Sequence, residues 1–246
     1  MQKFGLVGFP LGHSYSKEFF QKKFEELGLK DHSYELFPME YLKEFPALWL
    51  NHTDLVGVNV TVPHKEKVVR FLDHQDLSVI KVGAANVILK RNGKLYGHNT
   101  DYPAFKESLK KWIGNFKGEA LILGSGGSSK AVAVALEELN IGSYQVSRRK
   151  TKGDYTYDQL YKQPDILQRF QLIINATPLG MHPNDDSLPS IPYKHLTKKH
   201  YLFDLVYNPE ETAFMRKGME FGAKVKNGLE MLKLQAERSW DIWTKN

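Results

Sequence analysis

The sequence predicts an α/β protein with two lobes, and two observations support this fold class. Short apolar runs alternate with longer amphipathic stretches along the chain, which is the pattern of βαβ units in a mostly parallel sheet. The pattern starts afresh after a helical segment that begins near Asp101, so the chain holds two such series. A length of 246 residues is enough for two modest hydrophobic cores. We therefore expect a lobe boundary near Asp101.

The first lobe is predicted to open with a strand–helix–strand–helix–strand series. Its elements cover residues 3–9, 16–28, 32–37, 39–51 and 55–60. Asn92-Gly93 then separates two β-rich arms, which is the sequence signal of a two-residue hairpin turn. We therefore expect an antiparallel edge to this sheet near residues 87–97.

A helix near residues 102–113 leads into the second series, which again alternates strands and helices. Its elements cover residues 119–123, 128–140, 143–147, 157–168, 171–177 and 201–207. The last helix, from Gly228 to Thr244, could pack on either lobe, because its pattern alone does not assign it a neighbour.

The composition excludes several classes of protein. The chain has no cysteine, which rules out disulfides, thiolate zinc sites and cysteine nucleophiles and favours a reducing cytoplasm. No apolar run approaches the ~20 residues that span a bilayer, and the N-terminus lacks the apolar core of a signal peptide, so we expect no membrane partner. The net charge of +6 suits either anionic small molecules or nucleic acid. No helix-turn-helix or RNP-type motif is visible, so we expect no nucleic-acid partner.

A glycine-rich turn indicates a dinucleotide site in the second lobe. The run Gly124–Ser129 follows a buried strand and opens a helix rich in alanine and valine. Glycines let the backbone approach a pyrophosphate, and the helix N-terminus offers its free N–H groups. The alternative is a glycine turn that binds no ligand.

The strand after this turn favours NADP over NAD. An NAD site would place an acidic residue at the end of that strand, to bind the ribose hydroxyls. Instead the strand ends at Ser147 and continues into Arg148, Arg149 and two lysines. Guanidinium groups bind a 2′-phosphate through forked hydrogen bonds. A solvated basic loop is the alternative interpretation.

Polar residues are concentrated at the predicted strand ends of the N-terminal half. They are Ser14, Ser16, Asn59, Thr61, Lys65, Asn86, Asn99, Thr100 and Asp101. Because the carboxyl ends of parallel strands share one edge of a sheet, we expect these groups to converge. Hydroxyls and amides both donate and accept hydrogen bonds, so they suit a polyhydroxylated ligand.

Lys65 and Asp101 are the strongest acid–base candidates among these residues. Burial favours the neutral form of a lysine, while a nearby carboxylate favours its charged form, so the pair can hold a proton near a reacting alcohol. The alternative is a surface lysine and an aspartate that caps a helix. His13, His64 and His98 lie near these segments, but they lack metal-binding spacing and a carboxylate cluster, so we expect no metal site.

Nine blocks of the sequence resemble, in the same order, the successive motifs of shikimate dehydrogenases. The blocks are GFPLGHSYSKEFF, GVNVTVPHKEKV, GAANVI, GHNTDYPAF, LGSGGSSKA, SRRKTK, NATPLGM, FDLVYNPEETAFM and NGLEMLKLQAERSW. They cover essentially the whole chain. On this resemblance the chain is identified as a member of that family.

The resemblance implies a reversible, NADP-linked reduction of 3-dehydroshikimate to shikimate, a step of the chorismate pathway to aromatic amino acids. It implies an N-terminal substrate-binding domain over residues 1–101, with a C-terminal helix at about 229–246 packing back on it. It also implies a Rossmann NADP-binding domain over residues 102–228. A monomer and a homodimer are both compatible with it.

The resemblance also assigns roles to individual residues. Lys65 resembles the family's catalytic base, paired with Asp101. The side chains expected to contact the substrate are Ser14, Ser16, Thr61, Asn86, Asp101, Tyr207 and Gln235. Those expected on the cofactor side are Gly124, Gly126, Gly127, Ser128, Ser147, Arg148, Arg149, Lys152, Thr177, Leu205 and Gly228.

Two alternatives remain at this point. One is an NAD(P)-dependent paralogue that oxidises quinate as well as shikimate. The other is a ligand sensor on the same scaffold that binds without turnover. The arginine pair argues against NAD, and the intact Lys65 and Asp101 argue against a sensor.

Overall fold

The computed structural model describes residues 1–12 and 14–245, and the chain divides into two compact units. Unit 1 comprises Met1–Thr100 and Leu234–Asn246, and unit 2 comprises Asp101–Lys233. Each unit contains one six-stranded sheet, which confirms the α/β class. His13 and the final residue of the expected C-terminal helix lie outside the described residues.

Unit 1 is built on a mixed sheet. Its strands are β1 (Gln2–Gly8), β2 (His32–Pro38), β3 (Leu55–Val60), β4 (His74–Gln75), β5 (Val87–Arg91) and β6 (Lys94–His98). Their spatial order is β2-β1-β3-β5-β6-β4, with β1 parallel to both neighbours and β5 antiparallel to both of its own. The helices that precede the hairpin are α1 (Tyr15–Glu26), α2 (Phe45–Asn51) and α3 (Leu77–Val82).

The predicted hairpin is confirmed, but its place at the edge of the sheet is wrong. Asn92 and Gly93 have φ angles of 51° and 75°, the left-handed pair that a tight hairpin turn requires. The edge position is taken by β4, which pairs in parallel with β6. A strand of two residues has no alternation to detect, so the pattern could not reveal it.

Unit 2 is a doubly wound parallel sheet. Its strands are β7 (Ala120–Leu123), β8 (Ser143–Ser147), β9 (Tyr155–Thr156), β10 (Leu172–Asn175), β11 (Tyr201–Asp204) and β12 (Lys224–Lys226). The order β9-β8-β7-β10-β11-β12 is the Rossmann order, in which the chain reverses its direction of growth between β7 and β10. Its helices are α4 (Asp101–Ile113), α5 (Gly127–Glu138), α6 (Tyr157–Lys162), α7 (Ile166–Arg169) and α8 (Ala213–Glu220). The last helix, α9 (Leu229–Lys245), begins in unit 2 and belongs to unit 1 from Leu234 onward.

Proline divides two of the predicted helical stretches. In residues 39–51, a short 3₁₀ turn comes first and Pro46 then lies in the first turn of α2, where its missing N–H costs nothing. In residues 157–168, α6 ends before Pro164 and α7 begins after it. The amphipathic pattern runs through each proline, whereas the backbone hydrogen bonds cannot.

The last turns of α9 pack on the sheet of unit 1. The indole of Trp243 lies 4.9 Å from the Phe4 ring and 5.3 Å from the Phe20 ring, between ring centroids. Its Nε1 donates a hydrogen bond of 3.2 Å to the carbonyl of Ile88. A Cβ at Gly57 would lie only 2.3 Å from Nε1, so a glycine in β3 lets the helix approach this closely.

Among residues 1–12 and 14–245, no helix combines the length and the apolar character needed to cross a membrane.

Replacing Trp243 with alanine is expected to lower the free energy of unfolding by about 3–5 kcal/mol, because it opens a cavity against Phe4 and leaves the Ile88 carbonyl without its donor. Urea unfolding followed by circular dichroism measures this. Leu50→Ala, at a residue with 77% exposure, is the matched control and should change it by less than about 0.5 kcal/mol. Equal losses in the two variants would contradict the packing role of α9.

Candidate active site

The polar residues of unit 1 meet at one edge of its sheet. β1 and β3 both end there, and Thr61 follows β3 directly. β5 runs antiparallel to β3 with Asn59 opposite Val87, so Asn86, just before β5, lies at that same edge. Because β6 runs antiparallel to β5, the end of β6 lies at the edge where β5 begins, and Thr100, two residues after β6, lies at this edge as well. The antiparallel hairpin therefore brings Asn86 and Thr100 to this edge, whereas their convergence was expected from parallel strands alone.

Asn86 is the centre of a buried hydrogen-bond network at this edge. Its Nδ2 donates to Thr100 Oγ1 at 2.9 Å and to Gln235 Oε1 at 3.3 Å. Its Oδ1 accepts from the Thr100 backbone N–H at 2.7 Å. Two residues predicted to bind substrate, Asn86 and Gln235, are thus brought into contact although 149 positions separate them.

Asn59 carries the network inward. Its Oδ1 accepts from the Tyr34 hydroxyl at 2.8 Å, and its Nδ2 donates to Ser239 Oγ at 3.0 Å. Tyr34 also shares a side-chain hydrogen bond with Ser16. Burial raises the pKa of Tyr34 well above its ordinary value, with the Ser16 bond opposing, so the phenol stays protonated. Tyr34 and Ser239 were not predicted as site residues, since nothing in their local sequence pattern marks them.

Thr61 and Lys65 are held by their backbones. The Thr61 N–H donates to the Val7 carbonyl, and the Lys65 carbonyl accepts from Ala85 N–H, each at 2.8 Å. The Lys65 side chain is half-buried. Ser14 precedes α1 without using its side chain to cap that helix, and it is also half-buried. That Ser14, Thr61 and Lys65 contact a ligand through their side chains stays a prediction.

Two of the predicted residues belong to unit 2. Asp101 is the first residue of α4 and is only 4% exposed, whereas Tyr207 lies in the segment after β11 and is half-buried. The pairing of Asp101 with Lys65 stays a prediction.

The histidines have other partners. His64 is buried, and its Nε2 contacts the carbonyl of Met39 at 2.5 Å. Burial lowers the pKa of His98, with the charge of Asp76 opposing. In the described part of the chain, no group of three or more His, Asp or Glu side chains is placed to hold a metal ion.

The glycine turn of unit 2 joins the end of β7 to the start of α5 and borders open space. Gly124 has a φ of +116°, and a Cβ there would lie 3.1 Å from Thr177 Cγ2, so the ends of β7 and β10 approach closely. A Cβ at Gly126 would meet nothing within 4 Å, so the space before α5 is open. Gly126 has no side chain to cap α5, and its first N–H groups therefore point into that space.

The basic residues follow β8 immediately. Arg148, Arg149 and Lys152 are exposed, with Lys152 ending a 3₁₀ turn. Ser147 Oγ lies 3.3 Å from the Ser125 hydroxyl and accepts from the Arg149 backbone N–H at 3.3 Å. This contact joins the basic loop to the glycine turn, so both predicted cofactor segments lie at the carboxyl edge of β7 and β8.

The ends of β10 and β11 complete this edge. Asn175 accepts from Thr177 Oγ1 at 2.6 Å, and its Nδ2 donates to Asp204 Oδ1 at 2.9 Å. Asp204 also accepts from the Thr212 hydroxyl at 2.6 Å. Burial raises the pKa of Asp204 to about 7, although these hydrogen bonds oppose the shift. Asp204 was not predicted as a site residue, because its raised pKa depends on burial, which the local sequence does not reveal.

Gly228 lies against the end of β11. A Cβ at this position would be 2.2 Å from the Leu205 carbonyl oxygen, and the Gly228 N–H donates to Val206 O at 3.1 Å. Leu205 N–H in turn donates to the Asn175 carbonyl at 3.0 Å. Thr177, Leu205 and Gly228 thus share one edge of the second sheet with the glycine turn, and their contact with the cofactor stays a prediction.

Known proteins resemble the chain over nearly its full length. Residues 6–88 match the family model described as the shikimate dehydrogenase substrate binding domain. A protein of Desulforamulus reducens named shikimate dehydrogenase (NADP(+)) is 34% identical over 98% of this chain and 89% of its own length. A protein of the same name from Methanococcus maripaludis is 35% identical over 98% of this chain and 90% of its own length.

Solved structures show the same likeness. Shikimate dehydrogenase 1 of Peptoclostridium difficile superposes with a TM-score of 0.87 at 35% identity, over 100% of this chain and 92% of that one. The Thermus thermophilus enzyme, solved in complex with NADP(H) and shikimate, gives a TM-score of 0.87 at 32% identity, over 100% of this chain and 94% of that one. These likenesses extend over both units of the chain. The chain therefore belongs to the family of NADP-dependent shikimate dehydrogenases, which are oxidoreductases.

Proposed function

We propose that this chain catalyses the reversible, NADP-linked reduction of 3-dehydroshikimate to shikimate. The observation that carries the proposal is the Asn86–Gln235 pair at one sheet edge, in a chain whose other sheet has an open glycine turn and a basic loop. The amide pair is suited to a hydroxylated ring, and the glycine turn with the basic loop is suited to the phosphates of a dinucleotide. Unit 1 is then the substrate domain and unit 2 the NADP-binding domain.

The substrate side uses hydroxyls and amides. Ser14, Ser16 and Thr61 offer hydroxyls that both donate and accept, which suits a ring carrying hydroxyl and carboxylate groups. Asn86 and Gln235 add two amides whose orientation the network determines. Tyr207, whose phenol can donate, is the unit 2 residue that we assign to the substrate with Asp101.

The proton is handled by Lys65. In the direction of oxidation, Lys65 accepts the proton from the reacting hydroxyl, and in reduction it returns a proton to the ketone oxygen. Asp101 orients the lysine and accepts a hydrogen bond from a substrate hydroxyl. NADP, when bound, takes up or supplies the hydride.

The residues that we assign to the cofactor fall mainly into two groups, one for the pyrophosphate and one for the 2′-phosphate. The N–H groups after Gly124, Gly126, Gly127 and Ser128 suit the pyrophosphate, because the space before α5 is open. Arg148, Arg149 and Lys152, with Ser147 and no acidic residue at the end of β8, suit the 2′-phosphate. Thr177, Leu205 and Gly228 are assigned to the rest of the dinucleotide.

The finer assignments rest on composition and family likeness. We place the enzyme in the cytoplasm, because it has no cysteine and its substrates are small metabolites. We expect a monomer or a homodimer that binds neither nucleic acid nor membranes. A quinate-oxidising paralogue and a ligand sensor remain the competing functions.

The first test crosses shikimate and quinate with NADP and NAD in initial-rate assays at 340 nm. The highest kcat/KM is expected with shikimate and NADP. A higher value with quinate or with NAD would favour the paralogue. Binding of shikimate without turnover in any pairing would favour the sensor and contradict the proposal.

Arg148→Ala is expected to raise the KM for NADP by about 10-fold or more, because a charged hydrogen bond to the 2′-phosphate is lost. Any KM for NAD should not change, since NAD lacks that phosphate. Arg91→Ala, an exposed arginine in unit 1, is the matched control. An unchanged KM for NADP would remove Arg148 from the cofactor site.

Lys65→Ala is expected to lower kcat by about 100-fold or more and to change the KM for shikimate much less, because proton transfer is lost while the hydroxyl and amide contacts remain. Lys67→Ala, an exposed lysine two positions away, should retain wild-type rates. A normal kcat in the Lys65 variant would rule out its role as the base.

Asp204→Asn is expected to change how stability depends on pH. The folded carboxyl keeps its proton up to about pH 7, whereas the unfolded one loses it at about 3.8, so the free energy of unfolding falls as the pH rises between these values. The slope reaches at most about 1.4 kcal/mol per pH unit. Urea unfolding at pH 5 and pH 7.5 should show a smaller decrease in Asp204→Asn than in wild type. Asp158→Asn, at an exposed carboxyl, should behave as wild type; equal decreases in all three would contradict the raised pKa.

A further inference from the structure

Ser239 occupies an unusual position in α9. Its side chain is fully buried, and its Oγ donates to the carbonyl of Gln235, one turn earlier, at 2.8 Å. A serine that bonds back to its own helix in this way usually weakens the helix slightly. Here the same oxygen also accepts from Asn59 Nδ2 at 3.0 Å. Ser239 therefore links the helix to β3 through the very turn that carries Gln235.

The hydrogen bonds of this network run in one direction, from Tyr34 through Asn59 and Ser239 to the Gln235 carbonyl. Tyr34 has a single hydroxyl proton, which it donates to Asn59 Oδ1 at 2.8 Å. The Nδ2 end of Asn59 must then point to Ser239, so Ser239 accepts there and its own proton goes to the Gln235 carbonyl. In this arrangement each of these buried groups has a partner.

The Gln235 carbonyl is held from a second side as well. Thr100 Oγ1 donates to it at 3.2 Å, while Asn86 Nδ2 donates to the side-chain Oε1 at 3.3 Å. Gln235 itself is only 9% exposed. An amide whose oxygen is directed to Asn86 has its Nε2 hydrogens to offer to a ligand, so it would contact an acceptor oxygen.

We propose that Ser239 is a positioning residue for substrate binding. It holds the turn of α9 that bears Gln235 at a set height over β3, so that Gln235 Nε2 meets an oxygen of the substrate. The proposal rests on the proposed function of this edge. Ser239 acts through Gln235 and Asn59, and it does not contact the reacting atoms.

A purely structural role makes a different prediction from a positioning role. Losing a structural hydrogen bond lowers the unfolding temperature and leaves the KM for shikimate unchanged. Losing a positioning group raises the KM and the Kd for shikimate, with little change in kcat or in the KM for NADP. The loss of a positioning group also has no further effect on the KM once Gln235 has been removed, because the effects of substitutions at coupled residues are not additive.

The chain offers a matched control on the same helix. Thr244 Oγ1 donates to the Trp240 carbonyl at 2.8 Å, which is the same back-bond at the same distance. Thr244 is exposed, however, and lies one turn beyond Trp240. Thr244→Ala therefore removes an identical local bond without touching the Asn59 contact.

The experiment compares full-length wild type with Ser239→Ala, Thr244→Ala, Gln235→Ala and the double variant Ser239→Ala/Gln235→Ala. Steady-state assays give kcat and the KM for shikimate and NADP, and calorimetry with shikimate alone gives its Kd. We expect Ser239→Ala to raise the KM and Kd for shikimate about 5- to 20-fold, with kcat within about 3-fold of wild type. Thr244→Ala should match wild type, and the double variant should match Gln235→Ala.

Several results would overturn the proposal. An unchanged KM in Ser239→Ala, or a further rise of the same size in the Gln235→Ala background, assigns Ser239 a structural role only. If Ser239→Ala does not fold, Ser239→Cys keeps the shape of the side chain in a slightly larger group and replaces the hydroxyl with a weak donor and acceptor, and it should show the same rise in KM. Wild type that neither binds nor converts shikimate overturns the proposed function itself, which is a distinct outcome.

Discussion

The close contact between α9 and the sheet of unit 1 is the constraint on which the candidate site depends. Trp243 can approach β3 only because residue 57 is a glycine, and its indole N–H then engages the Ile88 carbonyl. With the helix at that distance, Ser239 meets Asn59 and Gln235 meets Asn86. Apolar packing thus determines the distance between α9 and the sheet. The buried amides and hydroxyls determine the rotation of α9 about its own axis. A helix set slightly farther away would leave several buried polar groups unpaired.

Much of the fold was predictable from the sequence, because long periodic segments carry their own signal. The strand at 143–147 and the helix near 102–113 match β8 and α4 closely. The misses have physical causes, since two-residue strands have no periodicity and prolines interrupt hydrogen bonding within an unbroken amphipathic pattern. The hairpin turn was found from Asn92-Gly93, but its neighbour in the sheet depends on tertiary pairing that no local pattern records.

The candidate site was predictable to a different extent. Glycines, cations and strand-end amides were identifiable because their chemistry is unusual at those positions, and family likeness supplied their roles. Tyr34, Ser239 and Asp204 were not identifiable, because a tyrosine, a serine or an aspartate becomes significant only through burial and a distant partner. Asn59 and Ser239 are 180 positions apart in the chain, so no spacing rule could join them.

The discontinuity of unit 1 also has a consequence during synthesis on the ribosome. Its sheet is encoded by the first hundred residues, but the helical segment that covers it begins only at Leu234. Unit 2 is contiguous in sequence and leaves the ribosome complete, so it is free to fold first. The aromatic face formed by Phe4 and Phe20 must wait, uncovered, until the final turn of α9 emerges. Unit 1 can therefore reach its native state only after the residues from Leu234 onward have been synthesised, however early the strands of its sheet emerge.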